Sequence, residues 1–187
     1  MLKTSILSTL LTFTLLFQAC SSENTTQTKN ANDMVATNEY VLTALDNTQY
    51  VAKKEANGFS LENTQGKVVI FDIFATWCPP CRAAASHLSA LQEKYKDNLV
   101  IIGLTIENDI ANEKLLEFRK MYNAQYILVN SKVNRRLVDD IAKNLQVGER
   151  FPIPLMAMYL DGKLIKHYVG AIEEEFIESD IKRALGL

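Results

Sequence analysis

Histidine, cysteine and tryptophan are scarce in this chain: its 187 residues include two histidines, three cysteines and one tryptophan. With no second Cys-x-x-Cys and only His87 and His167 besides, the chain does not offer the four ligands of a closed zinc site. Basic charge is not in excess. Lys and Arg number 20 against 22 Asp and Glu, a net charge of −2 with no basic stripe, which argues against a nucleic-acid partner. There are no internal repeats, so a solenoid or blade array is excluded. The apolar run near the N-terminus, Ile6 to Phe17, is too short to span a bilayer comfortably.

What is present is the composition of an ordinary folded protein, 48% hydrophobic and 22% charged, at a length that suits one domain and can bury a full core. Lys3 followed by the Ile6–Phe17 run has the charged and apolar regions of an export signal. The run stops at "LFQACSS" (Leu16 to Ser22), which resembles a bacterial lipoprotein cleavage box. The resemblance makes residues 1–19 a removable signal and Cys20 the lipidated first residue of the mature chain, which would account for the odd cysteine. It implies a protein of the bacterial cell envelope, on the periplasmic side and anchored to the membrane through Cys20. A plain secretory signal and an uncleaved anchor are the alternatives, and all three export the domain to a compartment where disulfide chemistry is possible. Ser21 to Asn38 is Ser, Asn, Thr, Gln and Lys with almost no apolar residues, so it cannot offset its ordering entropy. Residues 20–39 are therefore expected to be a flexible tether and residues 40–187 the folded domain.

Within that domain, "YVLTALDNTQYV" (Tyr40 to Val51) reads as a hairpin around Asp46-Asn47. "KVVIFDIF" (Lys67 to Phe74) is nearly continuously apolar and β-branched, as a strand covered on both faces should be. Leu88, Leu91 and Tyr95 recur at helical spacing and predict a helix from about Pro79 to Lys96. A buried strand at Leu99–Ile106, a helix with Leu115, Leu116, Phe118 and Met121, a short strand at Tyr126–Val129 and a helix through Leu137, Ile141 and Leu145 follow. This alternation predicts an α/β sheet with parallel crossovers. "IPLMAMYLDGKLIKHYVGA" (Ile153 to Ala171) predicts an antiparallel hairpin around Asp161-Gly162, and a last amphipathic helix carries Phe176, Ile177, Ile181 and Leu185.

The chemistry concentrates in "FATWCPPCR" (Phe74 to Arg82). A cysteine between a buried strand and a helix N-terminus meets unpaired backbone N–H groups and the positive end of the helix dipole, which favour thiolate over thiol. Pro79 and Pro80 suit the first helical turn and stiffen the loop. At this spacing Cys78 and Cys81 face each other across one turn, within disulfide reach. Cys78 is expected to be the exposed nucleophile and Cys81 the buried resolving thiol, with Arg82 adding positive charge. A purely structural disulfide is the bland alternative, but so small a loop would restrict the unfolded chain little.

"VVIFDIFATWCPPCR" resembles the thioredoxin superfamily, in particular its exported TlpA/ResA-like disulfide reductases, and the resemblance covers the chain from Tyr40 onward. It implies a thioredoxin-like fold: a central mixed β-sheet flanked by helices, with an N-terminal β-hairpin and a TlpA/ResA-like central insertion. Asp72 falls on the buried carboxylate with which thioredoxins move the proton of the second cysteine, and a lone acid in an apolar strand should independently have a raised pKa. Pro154 falls on the proline that follows a cis peptide and faces the disulfide. It is preferred over Pro152 because it keeps the spacing to the Asp161-Gly162 turn. Trp77, Pro79, Ile153 and Pro154 are the expected substrate-binding residues, with Trp77 packed beside the site as a shield. Where the TlpA/ResA branch carries a helix Glu and a following Pro, this chain has Ala84 and Ser86, so the proton-transfer role falls on Asp72 alone.

The expected activity is reduction of disulfides in exported proteins by the Cys78–Cys81 dithiol, with no cofactor or metal. Re-reduction would come from a membrane thiol donor of the DsbD/CcdA type. Pro79-Pro80 supplies no histidine of the kind that strong oxidants place between their cysteines, which tilts the reading toward a reductant. An oxidase or isomerase is the rival within the class, and a redox-inert or copper-handling lipoprotein is the rival outside it.

Overall fold

The computed structural model describes residues 38–130 and 134–187. The expected export signal, Cys20 and nearly all of the tether lie outside those residues. The chain is already in a strand at Glu39, one residue ahead of the expected boundary. There Glu39 pairs in register with Lys53, and its carboxylate meets the Lys53 ammonium at 3.3 Å.

The first three strands, β1 (Glu39–Thr43), β2 (Gln49–Glu55) and β3 (Gly58–Leu61), form a small antiparallel sheet. β1 and β2 are the expected hairpin, with Val41 opposite Val51 and Asn47 taking the positive φ of the turn. β3 is an addition to the sequence reading, because four residues with polar flanks are too few to display a period.

The larger sheet contains β4 (Val68–Phe74), β5 (Leu99–Thr105), β6 (Ile127–Val129), β7 (Leu155–Leu160) and β8 (Lys163–Val169), in the order β6-β5-β4-β7-β8. β4, β5 and β6 are parallel, β7 runs antiparallel to β4, and β8 runs antiparallel to β7, so the sheet is mixed. The β7–β8 turn consists of Asp161 and Gly162, both at positive φ, the combination a two-residue hairpin requires.

The helices are α1 (Pro79–Lys94), α2 (Asn112–Tyr122), α3 (Asn134–Asn144) and α4 (Glu174–Leu185). Leu88 and Leu91 of α1, Leu115 and Phe118 of α2, and Ile177 and Ile181 of α4 cover one face of the large sheet. Leu137, Val138 and Ile141 of α3 join Tyr40, Leu42 and Phe59 of the small sheet on the other. Each fully buried leucine contributes roughly 2 kcal/mol by removal from water.

β4 is buried along its whole length, which is why its sequence shows no polar alternation. Val68, Ile70 and Phe74 enter the first core, and Val69, Phe71 and Ile73 enter the second. By the two-residue period of a strand, Asp72 faces the first core, the one that contains Cys78 and Cys81.

Candidate active site

β4 delivers the chain to α1 through Ala75, Thr76 and Trp77, and Cys78 is the helix N-cap, with φ −80° and ψ 114°. Cys78 Sγ accepts the Cys81 backbone N–H at 3.3 Å. Pro79 and Pro80 occupy the opening helical positions, where a missing N–H costs little. No acidic residue stands in the first turn, so the positive end of the helix dipole is left for the sulfur. Cys78 and Cys81 are joined in a disulfide with Cα atoms 5.3 Å apart.

The expectation of an exposed Cys78 is corrected by the structure: Cys78 is 2% exposed and Cys81 3%. The cover comes from far along the chain. The Ile153 carbonyl oxygen lies 3.7 Å from Cys78 Sγ, and the Ile153 side chain packs against the core that contains both cysteines. The Ile153–Pro154 peptide bond is cis. The Gly170 N–H donates to the Pro154 carbonyl at 2.8 Å, tying this loop to the end of β8. Pro154 is buried, while Pro152 is exposed.

Trp77 is also placed differently from the expectation of a packed shield, since 60% of its surface is exposed. The loop does not need the indole to hold it. The Thr76 N–H donates to Glu107 Oε2 at 2.5 Å, and its hydroxyl donates to Oε1 at 3.0 Å. Arg82 Nε donates to the Thr76 carbonyl at 2.7 Å, and the guanidinium stacks 5.2 Å from the Tyr122 ring centroid. Arg82, read from sequence only as a positive charge, is thus a structural strut. Glu107, just beyond β5, gave no sequence signal. Pro79 is exposed beside Trp77, and a groove of about 230 Å³ lined by Thr76, Arg82, Phe118, Met121 and Tyr122 flanks the same loop.

Asp72 lies beneath, 3% exposed. The Tyr126 hydroxyl donates to Asp72 Oδ2 at 2.9 Å, whereas Oδ1 is buried with no partner among the described residues. Burial pushes the Asp72 pKa up to about 7, partly opposed by the Tyr126 hydrogen bond, which favours the charged form. Tyr126 itself stays protonated, its pKa raised by burial and by the neighbouring carboxylate. Sequence reading placed Tyr126 only as the first residue of a strand, and the structure has it just ahead of β6. Its one available signal was chemical, because a buried tyrosine hydroxyl needs a partner. Among the described residues no group of three or more His, Cys, Asp or Glu is placed to hold a metal ion.

The arrangement defines a class: a thioredoxin-fold protein with a Cys-x-x-Cys disulfide at the head of the helix that follows the central strand, and a buried acid on the same face. The chain belongs to the Redoxin family, whose model matches residues 42–185. It is similar to the thioredoxin-like protein YneN of Bacillus subtilis, with 32% identity over 75 residues, 39% of this chain and 44% of that relative. To the thiol-disulfide oxidoreductase ResA of Bacillus thuringiensis subsp. konkukian it is 27% identical over 136 residues, 71% of this chain and 72% of the relative. The match therefore spans under half of the first relative's length and more than two thirds of the second's. Among solved structures, a thiol:disulfide interchange protein of Chlorobium tepidum TLS superposes with a TM-score of 0.64 at 19% identity, covering 79% of this chain and 94% of that one. Family, fold and disulfide together make this chain a thiol–disulfide oxidoreductase.

Proposed function

We propose that the protein is an exported protein-disulfide reductase in which Cys78 is the nucleophile, Cys81 the resolving thiol and Asp72 the group that moves the Cys81 proton. The observation that carries this reading is the position of Cys78 Sγ: at the N-cap of α1, accepting the Cys81 N–H, and facing the Ile153 carbonyl. A sulfur held there is stabilised as thiolate by the N–H group and the helix dipole once the disulfide opens.

In the reducing direction the Cys78 thiolate attacks one sulfur of a substrate disulfide, and the other sulfur departs as a thiolate that takes a proton from water. Cys81, relieved of its proton by Asp72, then attacks Cys78. The Cys78–Cys81 bond forms, the bond from Cys78 to substrate breaks, and the substrate leaves fully reduced. The loop at Ile153–Pro154 offers backbone beside the sulfur for an extended substrate segment, as in strand addition, and exposed Trp77 and Pro79 give that segment an apolar contact.

Residues 1–19 act as the export signal in this reading, Cys20 carries a lipid that holds the domain to the membrane on its periplasmic side, and the stretch from Cys20 up to β1 forms the tether. The oxidised enzyme is then re-reduced by a membrane thiol donor of the DsbD/CcdA type, because cytosolic reductants cannot reach it. In this reading attachment rests on the lipid; no helix among the described residues is long and apolar enough to cross a membrane.

The test is the reduction potential of the Cys78–Cys81 pair, measured by equilibration in thiol/disulfide buffers. A reductant gives a value of about −270 to about −230 mV, whereas a value above roughly −180 mV would reverse the direction of electron flow.

A further inference from the structure

We infer that Tyr126 is the positioning residue of the proton carrier: its hydroxyl holds one oxygen of Asp72 and leaves the other free to exchange a proton with Cys81. This rests on the proposed role of Asp72 as the acid–base group of Cys81, and it deepens that role by naming what holds Asp72 in place.

Three features of the fold bear on the Tyr126–Asp72 contact. First, Tyr126 reaches Asp72 across β5 at the one position of that strand with no side chain. Gly103 is the register partner of Asp72 on one side and of Leu128 on the other. A Cβ at Gly103 would stand 2.7 Å from Leu128 Cδ2 and 3.0 Å from Tyr126 Cε2, so the ring passes through space that any other residue would occupy. Gly103 is not at a positive φ, and room is what it supplies.

Second, the turn that launches Tyr126 is fastened to the helix of the cysteines. Ser89 of α1 is buried; its hydroxyl lies 2.6 Å from the Asn123 carbonyl and accepts the Gln125 N–H at 2.7 Å. Asn123 ends α2 in the left-handed conformation and so directs the chain back toward β6. Helix α1 thus carries Cys81 near its head and, two turns on, the strut for the residue that holds Asp72.

Third, the division of labour between the two carboxyl oxygens is visible. Oδ2 takes the phenol at 2.9 Å, and Oδ1 is buried without a partner on the face of the sheet that holds Cys81. A proton on Oδ1 leaves the Tyr126 hydrogen bond intact, so the pair can load and unload without rearranging. Resolution of a mixed disulfide then moves one proton from the Cys81 thiol to Oδ1 as the Cys78–Cys81 bond forms and the bond from Cys78 to substrate breaks. Reduction of the enzyme returns that proton to Cys81.

Burial and the Tyr126 hydroxyl are the two influences on the Asp72 charge. The titratable groups buried in the core that Asp72 faces are Cys78 and Cys81 on α1, Tyr126 itself, and Tyr168 on β8, with Tyr95 and Tyr122 at its margin; the Tyr168 hydroxyl is bound to Asp180 of α4 at 2.6 Å. Glu178 of α4 is engaged by Lys94, Lys182 and Tyr95, and Arg183 by Asp180. The neighbours of Asp72 across the sheet, Gly103 and Met156, carry no charge.

The experiment is the pH dependence of mixed-disulfide resolution, read as thiol release at saturating oxidised glutathione from about pH 6 to about pH 9, in wild type, Tyr126→Phe and Asp72→Asn. Wild type should accelerate along a limb near neutrality, and Asp72→Asn should lose that limb. Tyr126→Phe keeps the ring and removes one donor to the carboxylate, so its limb should move about one pH unit alkaline, slowing resolution several-fold at neutral pH and recovering toward wild type at the alkaline end. A merely structural Tyr126 would alter stability without moving the limb. An unmoved limb in Tyr126→Phe, with the limb lost in Asp72→Asn, overturns the role of Tyr126 alone. An unaltered limb in Asp72→Asn overturns the role of Asp72 and the inference built on it.

Discussion

With its side chain buried and one oxygen unpartnered, Asp72 is more stable protonated than ionised up to about pH 7 inside the fold, against 3.8 for an ordinary aspartate. The folded state therefore binds a proton that the unfolded chain has already released between those values, and stability falls as pH rises through that window. Asp72→Asn removes the penalty. It should raise the stability of the domain at pH 8 by up to about 4 kcal/mol and change it little at pH 4, as read from denaturant midpoints at the two pH values. Equal effects at both would mean that burial does not disfavour the Asp72 charge. Asp72 was legible from sequence because a lone acid in "VVIFDIF" has nowhere to be solvated. The exposure of Cys78 was not, because the loop that roofs it arrives from Ile153, and no local pattern records a cover supplied by a distant segment. Tyr126 escaped for the same reason, since its partner lies two strands away in the sheet.

Among the elements, those with enough residues to display a period were readable: α1, β4 and β5 lie within a residue or two of where the hydrophobic pattern predicted them, and α4 contains all four apolar residues that announced it. The turn chemistry of Asp161-Gly162 and the apolar run of β4 are local properties, so the chain states them openly. β3 was not readable, since a strand of four residues owes its existence to the neighbour it pairs with. Gly103 is the most specific demand made at this scale. Gly103→Ala should cost about 1–3 kcal/mol, because its methyl group meets Leu128, Tyr126 and the Phe74 ring within 3.2 Å. The check is a shift of the urea midpoint without a change in slope, and full stability in this variant would contradict the packing of the row from Met156 to Leu128.

For the molecule as a whole, redox state and stability are one linked equilibrium. If the protein is a reductant, closing the Cys78–Cys81 bond must stabilise the fold. The loop is short, so the gain is about 2 kcal/mol by chain entropy, and the oxidised domain should melt roughly 5 °C above the reduced one in paired calorimetry scans. A reduced domain that melts higher would identify an oxidant instead. That the strand at the middle of the large sheet is covered on both faces was legible in its unbroken apolar run, whereas the order of the strands around it was not, because pairing partners come from distant segments.

The clamp on the loop ahead of Cys78 runs through Thr76, Glu107 and Arg82, while the indole of Trp77 stands largely in solvent beside it. On the proposed reading, in which Trp77 meets the substrate, client affinity and the reactivity of the sulfur pair are carried by different residues. A change at position 77 should then alter which clients bind while the polar strut, and with it the reactivity, is kept.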